Sequence, residues 1–138
     1  MPDTYLIDKS ALVRMPESPD VDTWTNRVDR GLVRIAVPTL LELGYSARSA
    51  DDLTELLDEP PVAAMPVEHL TPAAEKRALD VLRLLAAQGQ HRAPSVADVL
   101  LAAIAEQSNL VVLHVDKDFD LIASVTGQKV QRLALSPL

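Results

Sequence analysis

Residues 4–13 read TYLIDKSALV, and the order of residue types within them decides the fold. Apolar Tyr5, Leu6 and Ile7 run straight into Asp8, and Ala11, Leu12 and Val13 resume after Lys9 and Ser10. An uninterrupted apolar run suits a strand covered on both faces, and the spacing beyond the acid suits a helix. A carboxylate therefore stands where a buried strand turns into a helix.

The same pattern recurs along the chain. VRIAV (33–37) and NLVVLHV (109–115) read as further buried strands, with VQRLAL (130–135) as a fourth. Thr71 and Pro72 start a helix with Leu79, Leu82, Leu85 and Ala86 at helical spacing and Gly89 as its stop. Ser95 opens another, with Val96, Val99, Leu100, Ala103 and Ile104 on one face, and segments 19–30, 39–48, 51–57 and 118–126 also read as helices. Strands alternating with helices predict an α/β three-layer domain, a mostly parallel central sheet of about four to five strands flanked by helices. Neither repeats nor a shift in composition divide residues 1–138, so a single domain is expected. In such folds ligands bind at the carboxyl ends of the strands.

Bulk properties narrow the chemistry. An apolar content of 48% with only 3% aromatics predicts a core of Leu, Val, Ala and Ile. With no cysteine there is neither a disulfide nor a thiolate metal site, which suits a reducing cytoplasm. No apolar run approaches the roughly 20 residues of a membrane span, and the N-terminus lacks the basic start of a signal peptide. The net charge of −7 argues against nucleic-acid binding by broad neutralisation of phosphates, and permits a cation-mediated phosphate contact or a basic protein partner.

The acids after the strands carry the functional argument. Asp8 follows the first strand; PTLLELGYSA after the second sets Glu42 in the first turn of a helix; HVDKDFDLIA ends the third with Asp116, then Asp118 and Asp120. Asp98 stands in the first turn of the helix opened by PSVAD. Each also has a purely structural reading: Thr39 with Glu42 and Ser95 with Asp98 fit capping boxes, and Asp8 and Asp116 fit N-caps. Together they point elsewhere, since carboxylates converging on one sheet edge raise each other's pKa unless a cation lies between them. Hard divalent ions, Mg²⁺ or Mn²⁺, suit such oxygen ligands, and phosphodiester hydrolysis uses that arrangement. A calcium loop starting at Asp116 fails, because its sixth and twelfth positions are Leu121 and Gly127.

At this level the chain resembles the PIN-domain ribonucleases, and especially the VapC toxins of VapBC toxin–antitoxin systems. YLIDKSAL is similar to their opening strand and first acid, PTLLELGYSA to the segment with the second, and SVADVLLAAIAEQSNLVVLHVDKDFDLIA to the stretch with the third and fourth. The resemblance covers essentially the whole chain. It implies a PIN fold, Mg²⁺- or Mn²⁺-dependent endonucleolytic cleavage of RNA, a homodimer and inhibition by a cognate VapB antitoxin. The family's catalytic and metal-binding roles would fall on Asp8, Glu42, Asp98 and Asp116, with Asp118 a further metal ligand. The chain departs at Lys9, where many relatives carry a small hydroxyl residue, while Ser10 keeps the hydroxyl one place on. Lys9 reads as a phosphate contact, a partial neutraliser of the acids or a solvated first-turn residue.

Among the remaining residues, His114 is expected in the core or at a strand edge, and His69 and His91 in solvated loops. Arg14, Arg92 and Lys117 neighbour the acids in sequence and read as phosphate contacts or solvated side chains. Trp24 reads as a packing anchor, with a partner-facing surface as the alternative. Two other functions compete with the nuclease. A phosphoacceptor receiver domain would want adjacent acids after its first strand and a lysine after its last, but Lys9 follows Asp8 and the last strand leads into SPL. A catalytically dead PIN interaction module would not need acids at all four positions.

Overall fold

The computed structural model describes residues 2–137. Its strands are β1 (Tyr5–Ile7), β2 (Val33–Ala36), β3 (Val67–Glu68), β4 (Val111–His114) and β5 (Val130–Arg132). Its helices are α1 (Lys9–Arg14), α2 (Val21–Asp29), α3 (Val37–Tyr45), α4 (Ala50–Asp58), α5 (Pro72–Ala87), α6 (Val96–Gln107) and α7 (Lys117–Thr126). The strands form one sheet in the order β3-β2-β1-β4-β5, every pair parallel. The expected α/β three-layer architecture is borne out.

Side-chain alternation along the strands divides the core in two. Leu6 and Val112 face one side, where α5, α6 and α7 pack around Leu85, Ile104, Phe119 and Ile122. Tyr5, Ile7, Val33, Ile35, Val111 and Leu113 face the other, against Ala11, Trp24, Val28 and Leu43. Trp24 is buried, edge-on to Tyr5 at 4.9 Å with Arg27 stacked over its ring at 4.4 Å, so it is an anchor and not a partner-facing residue.

The chain leaves β1 for β2 on one side and crosses from β3 to β4 on the other. The order thus reverses beside β1, and the crevice at the carboxyl ends of β1 and β4 is where such sheets bind ligands. A receiver-type sheet has the order 2-1-3-4-5 instead, so that alternative is excluded by topology.

Several expected boundaries move, for local reasons. β2 ends at Ala36 because Pro38 sits at the start of α3, where its missing N–H is no loss. Glu42 is consequently a full turn inside α3, and no Thr39–Glu42 capping box forms. The third strand begins at Val111, after Asn109 takes a left-handed φ of 56° that closes α6. The fourth expected strand stops at Arg132, opposite the last residue of β4. β3 was not expected: at two residues it has no apolar run to reveal it.

The buried stripe of α5 is Ala74, Ala78, Val81 and Leu85, so Leu79 (57% exposed) and Leu82 (40%) lie outside it. Small residues on that stripe let α5 approach α6 closely. In α6 burial extends without a break from Leu101 to Ala105, since sheet, α5 and α7 enclose it, while Val96 at its start is 80% exposed. Leu85→Ala is therefore expected to destabilise by about 2–5 kcal/mol and Leu79→Ala by less than about 1 kcal/mol. Urea unfolding of both variants measures the difference.

Candidate metal centre

Three parallel strands and their following helices deliver acids to one crevice. β1 ends at Ile7, and the Asp8 amide still donates to Leu113 O at 2.9 Å, keeping this turn in register with β4. Asp8 then caps α1: its Oδ2 accepts from the Ser10 amide at 3.0 Å and from Ser10 Oγ at 2.6 Å. Ser10 Oγ in turn accepts from the Val115 amide at 2.9 Å. One hydroxyl thereby ties the first acid to the chain just ahead of the last.

Asp116 caps α7, its Oδ1 accepting from the Asp118 amide at 2.9 Å. Its own amide donates to Nδ1 of the fully buried His114 at 3.1 Å, which puts the imidazole proton on Nε2. Nε2 lies 3.4 Å from Asp120, whose other oxygen accepts from Arg132 at 2.6 Å. Asp120 is thus turned to β5. Asp98 forms the expected capping box with Ser95, the two bonds measuring 3.1 and 3.3 Å.

The structural reading of Asp8, Asp98 and Asp116 therefore holds, and it is the means by which the site is built. Asp8, Glu42, Asp98, Asp116 and Asp118 all line one cleft of about 630 Å³, with Lys9, Ser10 and Arg92. Oxygens of Asp98, Asp116 and Asp118 lie within 4.8 Å of one another. Adjacent ligands of an octahedral Mg²⁺ are about 2.9 Å apart and opposite ones about 4.1 Å, so these three need to close by up to about 2 Å to share one ion. Asp8 and Glu42 border the same space from β1 and α3. Arg14 pairs with Glu17, leaving Arg92 as the one of the three suggested phosphate contacts that reaches the cleft. Sequence reasoning missed the clasp of Ser10 on Val115 and the support of Asp116 by His114; the signals were a serine two places after a capping acid and a histidine two places before one.

Electrostatics follow from the crowding. Burial, reinforced by the charges of Asp8 and Asp116, pushes the Asp98 carboxyl up to about 6, against the bonds from Ser95. Glu42 is raised by burial and by Asp8, with Lys9 opposing. Asp118 is raised by burial and by Asp116. Burial lowers His114, keeping it neutral. A hard divalent cation fits this set, because all the convergent donors are carboxylate oxygens and five acids outnumber the two bases, Lys9 and Arg92.

Asp98 gives a signed prediction. Its folded-state pKa exceeds the unfolded value, so the native state holds an extra proton and stability from this group is lost as pH rises from about 4 through 6. Asp98→Asn, which keeps a cap acceptor, is expected to match the parent near pH 4 and to exceed it by about 2–3 kcal/mol at pH 7 in chelator. Urea unfolding across that range measures the gap. Ser10→Ala strands the Val115 amide and is expected to destabilise by about 1–3 kcal/mol at every pH, by the same assay.

The comparisons with known proteins agree with this geometry. The family model described as "PIN domain" matches residues 5–125. The chain is 57% identical over 133 residues to Ribonuclease VapC2 of Mycobacterium tuberculosis (strain CDC 1551 / Oshkosh), covering 96% of this chain and 94% of that one. It is 39% identical over 127 residues to Ribonuclease VapC51 of M. tuberculosis (strain ATCC 25618 / H37Rv), covering 92% and 90%. In fold it is similar to a chain of the DNA-bound VapBC crystal structure from Salmonella typhimurium, at TM-score 0.76 and 18% identity over 95% of this chain and 98% of that one. VapBC-5 from M. tuberculosis gives TM-score 0.67 and 21% identity, over 97% and 100%. A parallel sheet with carboxylates gathered at its switch point, matched along its length by these relatives, places the chain in the PIN-domain family.

Proposed function

We propose that this chain, as one domain over residues 1–138, is the toxin of a VapBC toxin–antitoxin pair, a cytoplasmic endoribonuclease that hydrolyses RNA phosphodiester bonds and is neutralised by a VapB antitoxin. The observation that carries this reading is the convergence of five carboxylates in one cleft at the sheet's switch point. Relatives named as VapC ribonucleases support the reaction class.

In this reading Asp8, Glu42, Asp98 and Asp116 are the catalytic and metal-binding residues, with Asp118 as a further ligand to Mg²⁺ or Mn²⁺. Bound there, the ion lowers the pKa of a water and offsets charge on the attacked phosphate. The chain's own part is positional. Capping bonds hold one oxygen each of Asp8, Asp98 and Asp116 at α1, α6 and α7, leaving the other free for the cleft. Below about pH 6 Asp98 would have to lose its carboxyl proton to act as a ligand, so the site would bind a cation more tightly as pH rises. Glu42 lies outside the close group and borders the cleft from α3.

An apolar groove lies next to the cleft, lined by Leu12, Val13, Met15, Val28, Leu43 and Leu56. Val13 borders both, so an antitoxin helix seated in the groove has a short path for a basic side chain into the acids. The reading includes a homodimer, for which exposed Leu79, Leu82 and Val96 offer apolar surface.

Purified protein is expected to cut cellular RNA in Mg²⁺ or Mn²⁺ and to stop in chelator, and Asp116→Asn is expected to cut at least about a hundredfold more slowly. Gel analysis of total RNA measures both, and coexpression with the adjacent small gene should abolish the growth arrest caused by the chain alone. Undiminished cleavage in chelator, or a harmless chain with no copurifying neighbour product, contradicts the reading.

A further inference from the structure

Lys9 is the one basic side chain of the cleft that the fold fixes in place. Its Nζ donates to Ser46 Oγ on the turn closing α3, at 2.9 Å. The Ser46 hydroxyl has a single hydrogen, given to the Glu42 carbonyl at 3.3 Å, so its remaining role toward Lys9 is as acceptor. The ammonium is thereby held on the wall that carries Glu42. Among the described residues, no ion pair includes Lys9, although five carboxylates line the same cleft. An ammonium has three N–H groups, and Ser46 takes one.

Charge explains why such a cation matters. The cleft is lined by five acids and two bases, Lys9 and Arg92, so a single divalent ion leaves it negative. A phosphodiester entering it needs a fixed positive group that the acids have not consumed. Arg92 has no hydrogen bond that orients it among the described residues; Lys9 has one.

We propose that Lys9 is a substrate-binding residue, an ammonium tethered by Ser46 that contacts a phosphate of the bound RNA strand on the Glu42 side of the cleft. This rests on the ribonuclease reading. It assigns to Lys9 a contact with substrate and not a share in assembling the acids. The two roles have opposite signatures. Removing the charge weakens the hold on a polyanion but relieves repulsion of a divalent cation, so RNA affinity and metal affinity move in opposite directions.

The test uses the full chain as wild type, Lys9→Met and Lys9→Arg. The probes are Mn²⁺ alone, followed by calorimetry, and an end-labelled random-sequence oligoribonucleotide pool in saturating Mn²⁺, followed by filter retention over a range of salt, with all three chains carrying Asp116→Asn in the retention assay so that the pool stays uncut. Such a pool is retained whatever sequence the enzyme cuts. Lys9→Met is expected to bind the pool roughly tenfold more weakly and to flatten the slope of log affinity against log salt by about 0.7, the effect of one phosphate contact on a single strand. It should bind Mn²⁺ at least as tightly as the wild type, and Lys9→Arg should restore the slope. A wild-type salt slope in Lys9→Met, or weakened Mn²⁺ binding in that variant, overturns the assignment while the wild type still cuts RNA. A wild type that neither retains the pool nor cuts RNA overturns the ribonuclease reading, and this proposal with it.

Discussion

Mutual repulsion among the carboxylates at the ends of β1 and β4 is the constraint to which the rest of the structure answers. β1 and β4 feed α1 and α7, α6 follows α5, and the N-termini of all three helices meet at one edge, where an acid is the residue an N-terminus prefers. Capping and clustering are therefore one event: Asp8, Asp98 and Asp116 stabilise their own helices while crowding each other. The N-terminal partial charges of α1, α6 and α7 offset part of that crowding. Burial first, and the charges of Asp8 and Asp116 second, push Asp98 up to about 6.

Neutral residues support the group. Ser10 accepts from Val115 and donates to Asp8, locking the β1 and β4 turns together across the crevice. His114 does the equivalent for Asp116 from within the core, and its neutrality matters, because a protonated ring has no acceptor for the Asp116 amide. Asp120 and Arg132 close that chain of contacts at β5. The groups that touch the cleft acids directly, Ser10, Ser95 and the segment held by His114, thus add no charge, which leaves the cleft's electrostatics to the acids, Lys9 and Arg92.

Much of this was legible in the sequence, for reasons specific to each element. β1 and β4 are continuous apolar runs ending in an acid, so both strand and site residue stand out at Asp8 and Asp116. Asp98 stands out through its Ser95 box. Glu42 was identified as a site residue but set in the wrong turn, because Pro38 lets α3 begin directly on β2 and sequence pattern does not mark a helix without a loop before it. Leu79 and Leu82 were expected on the packed face of α5, which instead uses Ala74 and Ala78, residues whose burial is decided by the closeness of α6 and not by their own apolarity. β3 has too few residues to carry a period, and the Ser10 and His114 contacts join positions that only the folded sheet brings together.

The central claim is that the fold gathers negative charge which a divalent cation relieves. Calorimetric titration of Mn²⁺ into the protein near pH 5.5, repeated in buffers of different ionisation enthalpy, counts the protons released on binding. With Asp98 held at about 6 in the free protein, the account predicts release of about one proton per bound ion, falling toward zero as pH rises above 7. Binding with no proton release near pH 5.5, or no binding at all, would contradict it.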